Sequence, residues 1–356
     1  MGTTSYKCPS CGAGIHFKPE LKKFKCDYCL SEYSEEEIAN LYKDDEKSED
    51  THSTQEEVLH KHDVDEAHLQ SYTCNSCGAQ VVTDDTTTAT FCYYCHNPVI
   101  LSGRLEGEFK PKKMIPFAID KEKAKSSFLK WAGNKKFVPK DFTSSSQLEK
   151  ITGVYLPYWW VDTKAQVDYL GEGKNIRVWR TGDMEYTETK KYEIVRQGEL
   201  DLNNVGEVAF TKIDKSLLNG ILPYRESETV DFSMPYLSGF FAEQYDITKE
   251  EAEPMIEGQI NRYYTYMIND LVSGYDKVDV IRDGIEIKDK EWNYTLLPAW
   301  ILTYKYQGKT YVFAVNGQTG KSYGELPLSN KRLGSAFGII FAATFLLLLL
   351  GGILIW

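Results

Sequence analysis

Two stretches of the chain read almost alike: Tyr6-Lys7-Cys8-Pro9-Ser10-Cys11-Gly12-Ala13 and Tyr72-Thr73-Cys74-Asn75-Ser76-Cys77-Gly78-Ala79. The same offset of 66 residues places Cys26-Asp27-Tyr28-Cys29 on Cys92-Tyr93-Tyr94-Cys95. The chain therefore carries one short module twice, and each copy has the spacing C-x2-C, fourteen residues, C-x2-C. All eight cysteines of the 356-residue chain lie in these two modules.

This spacing predicts two metal sites, each with four thiolate ligands. The two cysteines of a C-x2-C pair can face one ion, and two such pairs close a tetrahedral site. Zinc is the expected metal, and a rubredoxin-type iron site, which has the same ligands, is the alternative. Four protein ligands leave no open coordination position, so a structural role is expected. The predicted ligands of the two Zn²⁺ ions are Cys8, Cys11, Cys26 and Cys29 at one site, and Cys74, Cys77, Cys92 and Cys95 at the other.

The charge of the chain argues against a protein that coats nucleic acid. Its 41 basic and 52 acidic residues give a net charge of -11, whereas such a protein needs a basic face. The first module, residues 6–33, has five lysines against three acidic residues, and the second, residues 72–100, has two aspartates and neither lysine nor arginine. Nucleic-acid binding is therefore an alternative only for the first module.

The sequence also argues against an enzyme. Beyond His96 the chain has neither histidine nor cysteine, which excludes a Ser-His-Asp or Cys-His site from the long region that follows. The run Gly317-Gln318-Thr319-Gly320-Lys321-Ser322 resembles the end of a phosphate-binding loop, but Val315 stands where that loop requires its first glycine. We assign no catalytic and no cofactor-binding residue.

The last segment of the chain predicts a membrane anchor. Residues 337–356 contain no charged side chain, and as a helix they span about 30 Å, the thickness of a hydrocarbon core. The alternative, a buried core helix, rarely runs so far without a charge. Lys331 and Arg332 precede the segment, and the N-terminus lacks the apolar run of a signal peptide. We therefore expect a single-pass protein of the cell membrane whose N-terminal bulk is cytoplasmic, where its thiols stay reduced.

Small residues recur at four-residue intervals along this segment, at Gly334, Gly338 and Ala342. Such a stripe lets two membrane helices approach closely. A homo- or hetero-oligomer formed through the membrane helix is therefore a further expectation.

The remaining sequence predicts an α+β fold with a mixed, largely antiparallel β domain. Strand-like runs begin at Val154 (VYLPYWWVDTKAQVDYL), Ile176 (IRVWR), Glu185 (EYTETKKYEIVRQGEL) and Leu296 (LLPAWILTYKY). Helices are predicted after the capping residues Ser34, Asp120 and Thr248. The predicted units are zinc ribbon 1 (1–33), an acidic, partly helical and partly disordered linker (34–71), zinc ribbon 2 (72–100), an α+β domain (109–328) and a transmembrane helix (333–356).

An aromatic cluster in the first strand-like run has two interpretations. Tyr155, Tyr158, Trp159 and Trp160 either fill the core of the sheet or form a patch that faces a partner, since tyrosine and tryptophan are favoured at interfaces. The buried core is the preferred interpretation.

The motifs CPSCGA, CNSCGA, CDYC, CYYC and VYLPYWWVD, together with the membrane segment, resemble those of the bacterial TFIIB-type zinc-ribbon membrane proteins. The resemblance covers the whole architecture. Some members of that family are encoded with phage-shock-protein-A-like and SPFH-domain proteins, and the resemblance implies such partners here. The helicase-like function that is sometimes ascribed to the family is not expected, because the sequence has no helicase motif.

Together these observations predict a membrane-anchored cytosolic scaffold or adaptor with structural zinc ribbons. The resemblance adds that it recruits envelope-stress or SPFH-type protein partners to the bilayer. The alternative is a zinc-ribbon nucleic-acid-binding protein that is tethered to the membrane. A third hypothesis is an enzyme that uses carboxylates of the α+β domain.

Overall fold

Three long strands form the centre of the fold in the computed structural model, which describes residues 3–42, 69–139, 142 and 151–355. They are β9 (Ile151–Thr181), β10 (Met184–Val208) and β13 (Lys277–Tyr306). β9 lies in the middle and pairs antiparallel with β10 on one side and β13 on the other. At about 3.3 Å per residue, a strand as long as β9 reaches about 100 Å.

The shorter strands complete three sheets. β6 to β15 form one ten-stranded sheet, in which only the pairs β12–β9 and β13–β8 are parallel among the described strands. A three-stranded sheet contains β1 to β3, and a two-stranded sheet contains β4 and β5. The short strands are β1 (Ile15–Lys18), β2 (Lys23–Cys26), β3 (Glu32–Tyr33), β4 (Gln70–Thr73), β5 (Gln80–Thr83), β6 (Thr87–Phe91), β7 (Pro98–Ile100), β8 (Lys113–Met114), β11 (Val230–Asp231), β12 (Phe241–Glu243), β14 (Lys309–Asn316) and β15 (Ser322–Gly324).

Three predicted α-helices begin at the residues expected to cap them. Thr248 and Glu251 form a capping box, the side chain of Asp120 accepts a hydrogen bond from Lys123 N–H at 2.7 Å, and Ser34 Oγ accepts one from Glu37 N–H at 3.2 Å. The rest of the predicted acidic linker, residues 43–68, lies outside the described residues. The described α-helices are α1 (Glu35–Tyr42), α2 (Lys121–Gly133), α3 (Lys215–Gly220), α4 (Lys249–Leu271) and α5 (Asn330–Ile355).

One face of the three long strands is covered by α4. Between residues 161 and 173 the odd-numbered side chains of β9 are buried and the even-numbered ones are not, the alternation of an antiparallel strand with one covered face. Tyr264 and Ile268 of α4 pack with Val167 and Tyr169 of β9, and with Ile194 of β10. The other face carries ion pairs and meets water.

The predicted break between the strand-like runs that begin at Val154 and Ile176 is absent, because β9 continues through both of them as one strand. Gly171 and Gly173, which resemble turn residues, lie inside the strand. A Cβ atom on Gly173 would lie 2.5 Å from Tyr275 Cδ1, so this glycine makes room for a ring packed against the sheet.

The aromatic cluster of the first strand-like run is core, as preferred. Tyr155, Tyr158, Trp159 and Trp160 are all buried. The indole N–H of Trp159 donates a hydrogen bond of 2.8 Å to the carbonyl oxygen of Ile247, which satisfies its buried polar atom.

Both cysteine modules are attached to the central sheet. Phe17 and Phe24 of the first module pack against Tyr236, with ring centroids 4.8 and 5.7 Å away. In the second module, β6 pairs with β12 through Ala89 and Ala242, so this part of the module belongs to the ten-stranded sheet.

Over Asn330–Leu348 the side chains of the last helix, α5, lie away from the rest of the protein. Its window Asn330–Leu348 has a mean hydropathy of 1.5, and none of that window is buried. Two hydrogen bonds hold its start: Ser329 N–H donates to Phe137 O at 2.7 Å, and Arg332 Nη1 donates to Val138 O at 2.8 Å. Among the described residues it is the one helix long and apolar enough to cross a membrane.

A half-buried carboxyl group, that of Glu243, lies where the second module meets the sheet. Glu243, the last residue of β12, accepts a hydrogen bond of 2.6 Å from Thr86 Oγ1, and Lys212 Nζ lies 3.0 Å from Asp84 Oδ2. Burial raises the pKa of Glu243 to about 7, and nearby Asp84 adds to the rise, although the hydrogen bond from Thr86 and the charge of Lys212 act against it.

We predict that this junction weakens as the pH rises. Glu243 holds its proton more tightly folded than unfolded, where its pKa is about 4.5. The stability due to the protonated group is therefore complete below pH 4.5 and lost as the pH rises through about 7. Glu243→Gln stays uncharged, so its melting temperature should exceed that of the wild type by more at pH 8 than at pH 6. The exposed Glu325→Gln is the control, and an unchanged gap for Glu243→Gln contradicts the expectation.

Candidate metal centres

Each C-x2-C pair is built as the same tight turn. The residue after the second cysteine has a positive φ in all four turns: 76° at Gly12, 63° at Leu30, 75° at Gly78 and 57° at His96. Its N–H donates to the carbonyl of the first cysteine, as in Gly12 to Cys8 at 2.8 Å and His96 to Cys92 at 2.9 Å. Leu30 and His96 adopt a conformation that costs a non-glycine residue roughly 1–2 kcal/mol, which indicates that the turn geometry itself is required.

The eight predicted ligands form two clusters, as the spacing predicts. Within each cluster the four Sγ atoms lie within 4.8 Å of one another. Pairs across the two turns are 3.5 Å (Cys8–Cys29) and 3.6 Å (Cys11–Cys26) apart in the first module, and 3.8 Å (Cys74–Cys95) and 3.7 Å (Cys77–Cys92) apart in the second.

These distances fit a bound metal ion. A tetrahedral ion with metal–sulfur bonds of about 2.3 Å holds its sulfur atoms about 3.8 Å apart. A disulfide requires a separation of about 2.05 Å, and all eight cysteines are free thiols. The two clusters are therefore geometrically suited to one metal ion each.

The thiols of each cluster differ in how tightly they hold their protons. Burial raises the pKa of Cys8, but hydrogen bonds from Tyr33 and from the backbone of Ser10 lower it to about 6 overall. The backbone of Ala13 lowers the pKa of Cys11, whereas burial and the neighbouring sulfur atoms raise it, to about 12 overall. The second cluster repeats this inequality, with the pKa lowered to about 7 at Cys92 and raised to about 12 at Cys95. A bound cation resolves the conflict, because all four ligands bind it as thiolates.

Polar groups support the first cluster from outside. Tyr33 Oη lies 3.5 Å from Cys8 Sγ and 2.7 Å from Ser10 Oγ, and Ser31 Oγ lies 3.3 Å from Cys29 Sγ. Groups of this kind orient the ligands of a metal and tune its affinity. No local pattern marks Tyr33 in the sequence, because its contact with Cys8 depends on β3 returning beside the first turn. Ser31 makes a local contact, two residues after Cys29.

The two modules contact each other directly. Thr4 and Ile100 exchange two backbone hydrogen bonds of 2.7 and 2.9 Å, and Thr3 Oγ1 donates to Thr73 O at 2.9 Å. The two metal centres therefore belong to one body.

The lysines of the first module are largely matched by its own carboxylates. Lys18 Nζ lies 2.9 Å from Asp27 Oδ1, and Lys25 Nζ lies 3.2 Å from Glu32 Oε1. Glu32 also lies 3.9 Å from Lys23. This pairing reduces the positive charge that the module offers to a phosphate backbone.

One relative covers nearly the whole chain. A Bacillus subtilis (strain 168) protein described as "Uncharacterized protein YdjG" is 33% identical over 349 residues, which is 97% of this chain and 96% of that protein. No protein-family model matches the chain. No solved structure matches it.

We predict that the two metal centres load independently. Cys8→Ser should reduce the metal content from two ions to one per chain, and Cys74→Ser should do the same at the other site, because three remaining thiolates no longer close the tetrahedron. Native mass spectrometry and elemental analysis of the reduced protein measure the count. Tyr93→Ser, which lies between two ligands without being one, is the control and should keep two ions. A metal-free wild-type protein that is folded and reduced would falsify the assignment.

Proposed function

The chain belongs to the family of the Bacillus subtilis protein YdjG, and for it we propose the function of a membrane-anchored cytosolic adaptor with two structural zinc ribbons. The observation that carries the proposal is the combination of two four-cysteine clusters with an apolar helix that is exposed over Asn330–Leu348. In this proposal the four-cysteine clusters stabilise the two modules, and the apolar helix attaches the protein to a membrane.

The donor set favours zinc. Four cysteine thiolates in a tetrahedral arrangement are characteristic of structural zinc sites. In the first module one C-x2-C turn precedes β1 and the other joins β2 to β3, the arrangement of a zinc ribbon, and three short strands bury too little surface to fold without a metal. Iron in the same ligand set is the alternative that metal analysis distinguishes.

The last helix supports attachment to a bilayer. Its side chains have little contact with the rest of the described protein, and removing apolar surface from water contributes about 25 cal/mol per Å². Lys331 and Arg332 at its start favour the cytoplasmic side for the domain before it. The large exposed apolar side chains of the described part of the helix are Leu333, Phe337, Ile339, Ile340, Phe341, Phe345, Leu346, Leu347 and Leu348.

The exposed tyrosines of the two cysteine modules fit an adaptor role. The second turn of each module projects tyrosines into solvent, Tyr28 in the first and Tyr93 and Tyr94 in the second, with 83%, 71% and 74% of each residue exposed. Tyrosine is enriched at protein interfaces, where its ring and hydroxyl group both contribute. The resemblance to TFIIB-type zinc-ribbon membrane proteins supplies the class of partner: phage-shock-protein-A-like or SPFH-domain proteins recruited to the membrane.

We predict that α5 is the anchor. Leu346→Arg places a charge near the centre of the segment and should weaken insertion by roughly 2.5–3.5 kcal/mol. Deleting residues 337–356 should release a protein that still binds two metal ions. Membrane fractionation with a high-salt wash measures both effects, and Leu346→Phe is the apolar control. A deleted protein that stays in the membrane pellet places the anchor elsewhere.

We predict that protein partners, rather than nucleic acid, accompany the chain. Purification from solubilised membranes, followed by mass spectrometry, should recover the same proteins with and without nuclease treatment. Replacing Tyr28, Tyr93 and Tyr94 together by serine should deplete them at unchanged metal content, because the exposed aromatic contacts are lost. The same exchange at exposed Tyr266 on α4 is the control. Recovery that depends mainly on intact nucleic acid supports the tethered nucleic-acid binder instead.

A further inference from the structure

The outer edge of β10 is open over a long distance. β9 pairs with one edge of β10, and no other described strand pairs with it. From Met184 to Leu202 the ladder with β9 is unbroken, and its one irregularity comes later, between Leu202 and Val205. An unprotected edge presents unpaired N–H and C=O groups that another strand can bind.

The opposite edge of the three long strands is protected. The ladder of β13 with β9 is interrupted twice, between Val280 and Arg282 and between Ile287 and Lys290. Within the second interruption the carbonyl of Asp289 accepts a hydrogen bond of 2.8 Å from Thr163 Oγ1. Bulges of this kind prevent edge-to-edge pairing, and β10 has none over the same length.

The far end of the β9–β10 hairpin also lacks support. β13 begins opposite Lys174, so residues 175–181 and 184–190 form a two-stranded ribbon beyond it. Trp179 and Tyr186 stack on one face of this ribbon at 5.7 Å, and both stay partly exposed. An isolated two-stranded ribbon is marginally stable in water, so further strands beside it would stabilise it.

We propose that the free edge of β10 pairs antiparallel with β10 of a second copy of this chain, centred on Tyr192. Tyr192 then faces its own counterpart across a two-fold axis, and each residue i faces residue 384 − i. The interface extends from Met184 to Leu200 in both copies and joins the two sheets into one.

The charges of β10 match in this register. Lys191 faces Glu193 of the partner copy and Glu193 faces its Lys191, so the pair occurs twice, and Glu188 faces Arg196 in the same way. Opposite charges directly across an antiparallel pair stabilise it. The side chain of Lys191 is 61% exposed, so it has room to reach across.

The one like-charged pair is already neutralised within each copy. Glu185 faces Glu199, but Arg180 Nε lies 2.9 Å from Glu185 Oε2 and Lys164 Nζ lies 3.1 Å from Glu199 Oε1. Gly198 faces Tyr186, and the space where a Cβ of Gly198 would stand has no atom within 4 Å. The aromatic ring of Tyr186 therefore has a place to lie over the glycine.

A dimer of this kind restricts how the protein meets the membrane. The two-fold axis of an antiparallel strand pair runs perpendicular to the sheet. If both α5 helices enter one bilayer from the same side, that axis stands along the membrane normal. The joined sheet then lies parallel to the bilayer surface, with the two sets of metal modules at its opposite ends.

Photo-crosslinking in intact membranes tests the contact in the full-length protein. With p-benzoyl-phenylalanine in place of Tyr192, illumination should yield a covalent species of two chains. The same residue in place of Ile281, exposed on the protected edge of β13, should yield none. A dimer from position 281 but not from 192, or a product at 192 that contains a different protein, overturns the proposal.

A charge exchange separates pairing through β10 from association through α5. Lys191→Glu and Glu193→Lys should each lower the yield of crosslinked dimer about tenfold, because each variant places like charges opposite one another twice. The double variant restores opposite pairs and should restore the yield; its new lysine at position 193 also stands opposite Glu172, which Lys191 contacts in the wild type. Lys309→Glu, an exposed charge reversal far from β10, is the control. Unchanged dimer in the single variants, or no recovery in the double variant, contradicts the register.

Discussion

Each of two clusters holds four sulfur atoms within 4.8 Å of one another. The rest of the N-terminal half depends on this constraint. Such a cluster cannot hold four thiolates by itself, because the like charges repel and some of the sulfur atoms keep their protons. A central cation allows all four to bind as thiolates. The first module holds three short strands and the second four, so ligation supplies stability that their small cores cannot.

A few direct contacts link the cysteine modules to the long sheet. β6 runs directly into Cys92, and Phe91, the residue before it, packs its ring 5.3 Å from that of Phe241 on β12. β12 in turn pairs with the start of β9 at Val154 and Tyr155. The first module is bound to the same region through Phe17, whose N–H donates to Ser238 O at 3.1 Å. Both cysteine modules are therefore linked by short contacts to the base of the sheet.

Local sequence signals predicted the features that depend on neighbouring residues. The cysteine spacing predicted both clusters, Asp120 and Thr248 predicted the starts of their helices, and the uncharged run after Arg332 predicted the long exposed helix. In each case the relevant contacts lie within a few residues or within one short module.

The long strands, by contrast, depended on contacts that the sequence does not display. Gly171 and Gly173 resembled the end of a strand, because their need for space arises from tyrosine rings packing over them. The union of β6 with β12 joins residues 153 positions apart, Ala89 and Ala242, and no local pattern marks it.

The proposal of two structural zinc sites depends on the closed character of the metal centres. X-ray absorption at the metal edge of the purified, reduced, full-length protein tests this most directly. The account predicts a zinc edge and a single shell of four sulfur atoms at about 2.3 Å. A shell that contains oxygen or nitrogen would mean that a ligand other than cysteine completes a site, and an iron edge would mean a different metal; either result would contradict two zinc sites with four thiolates each.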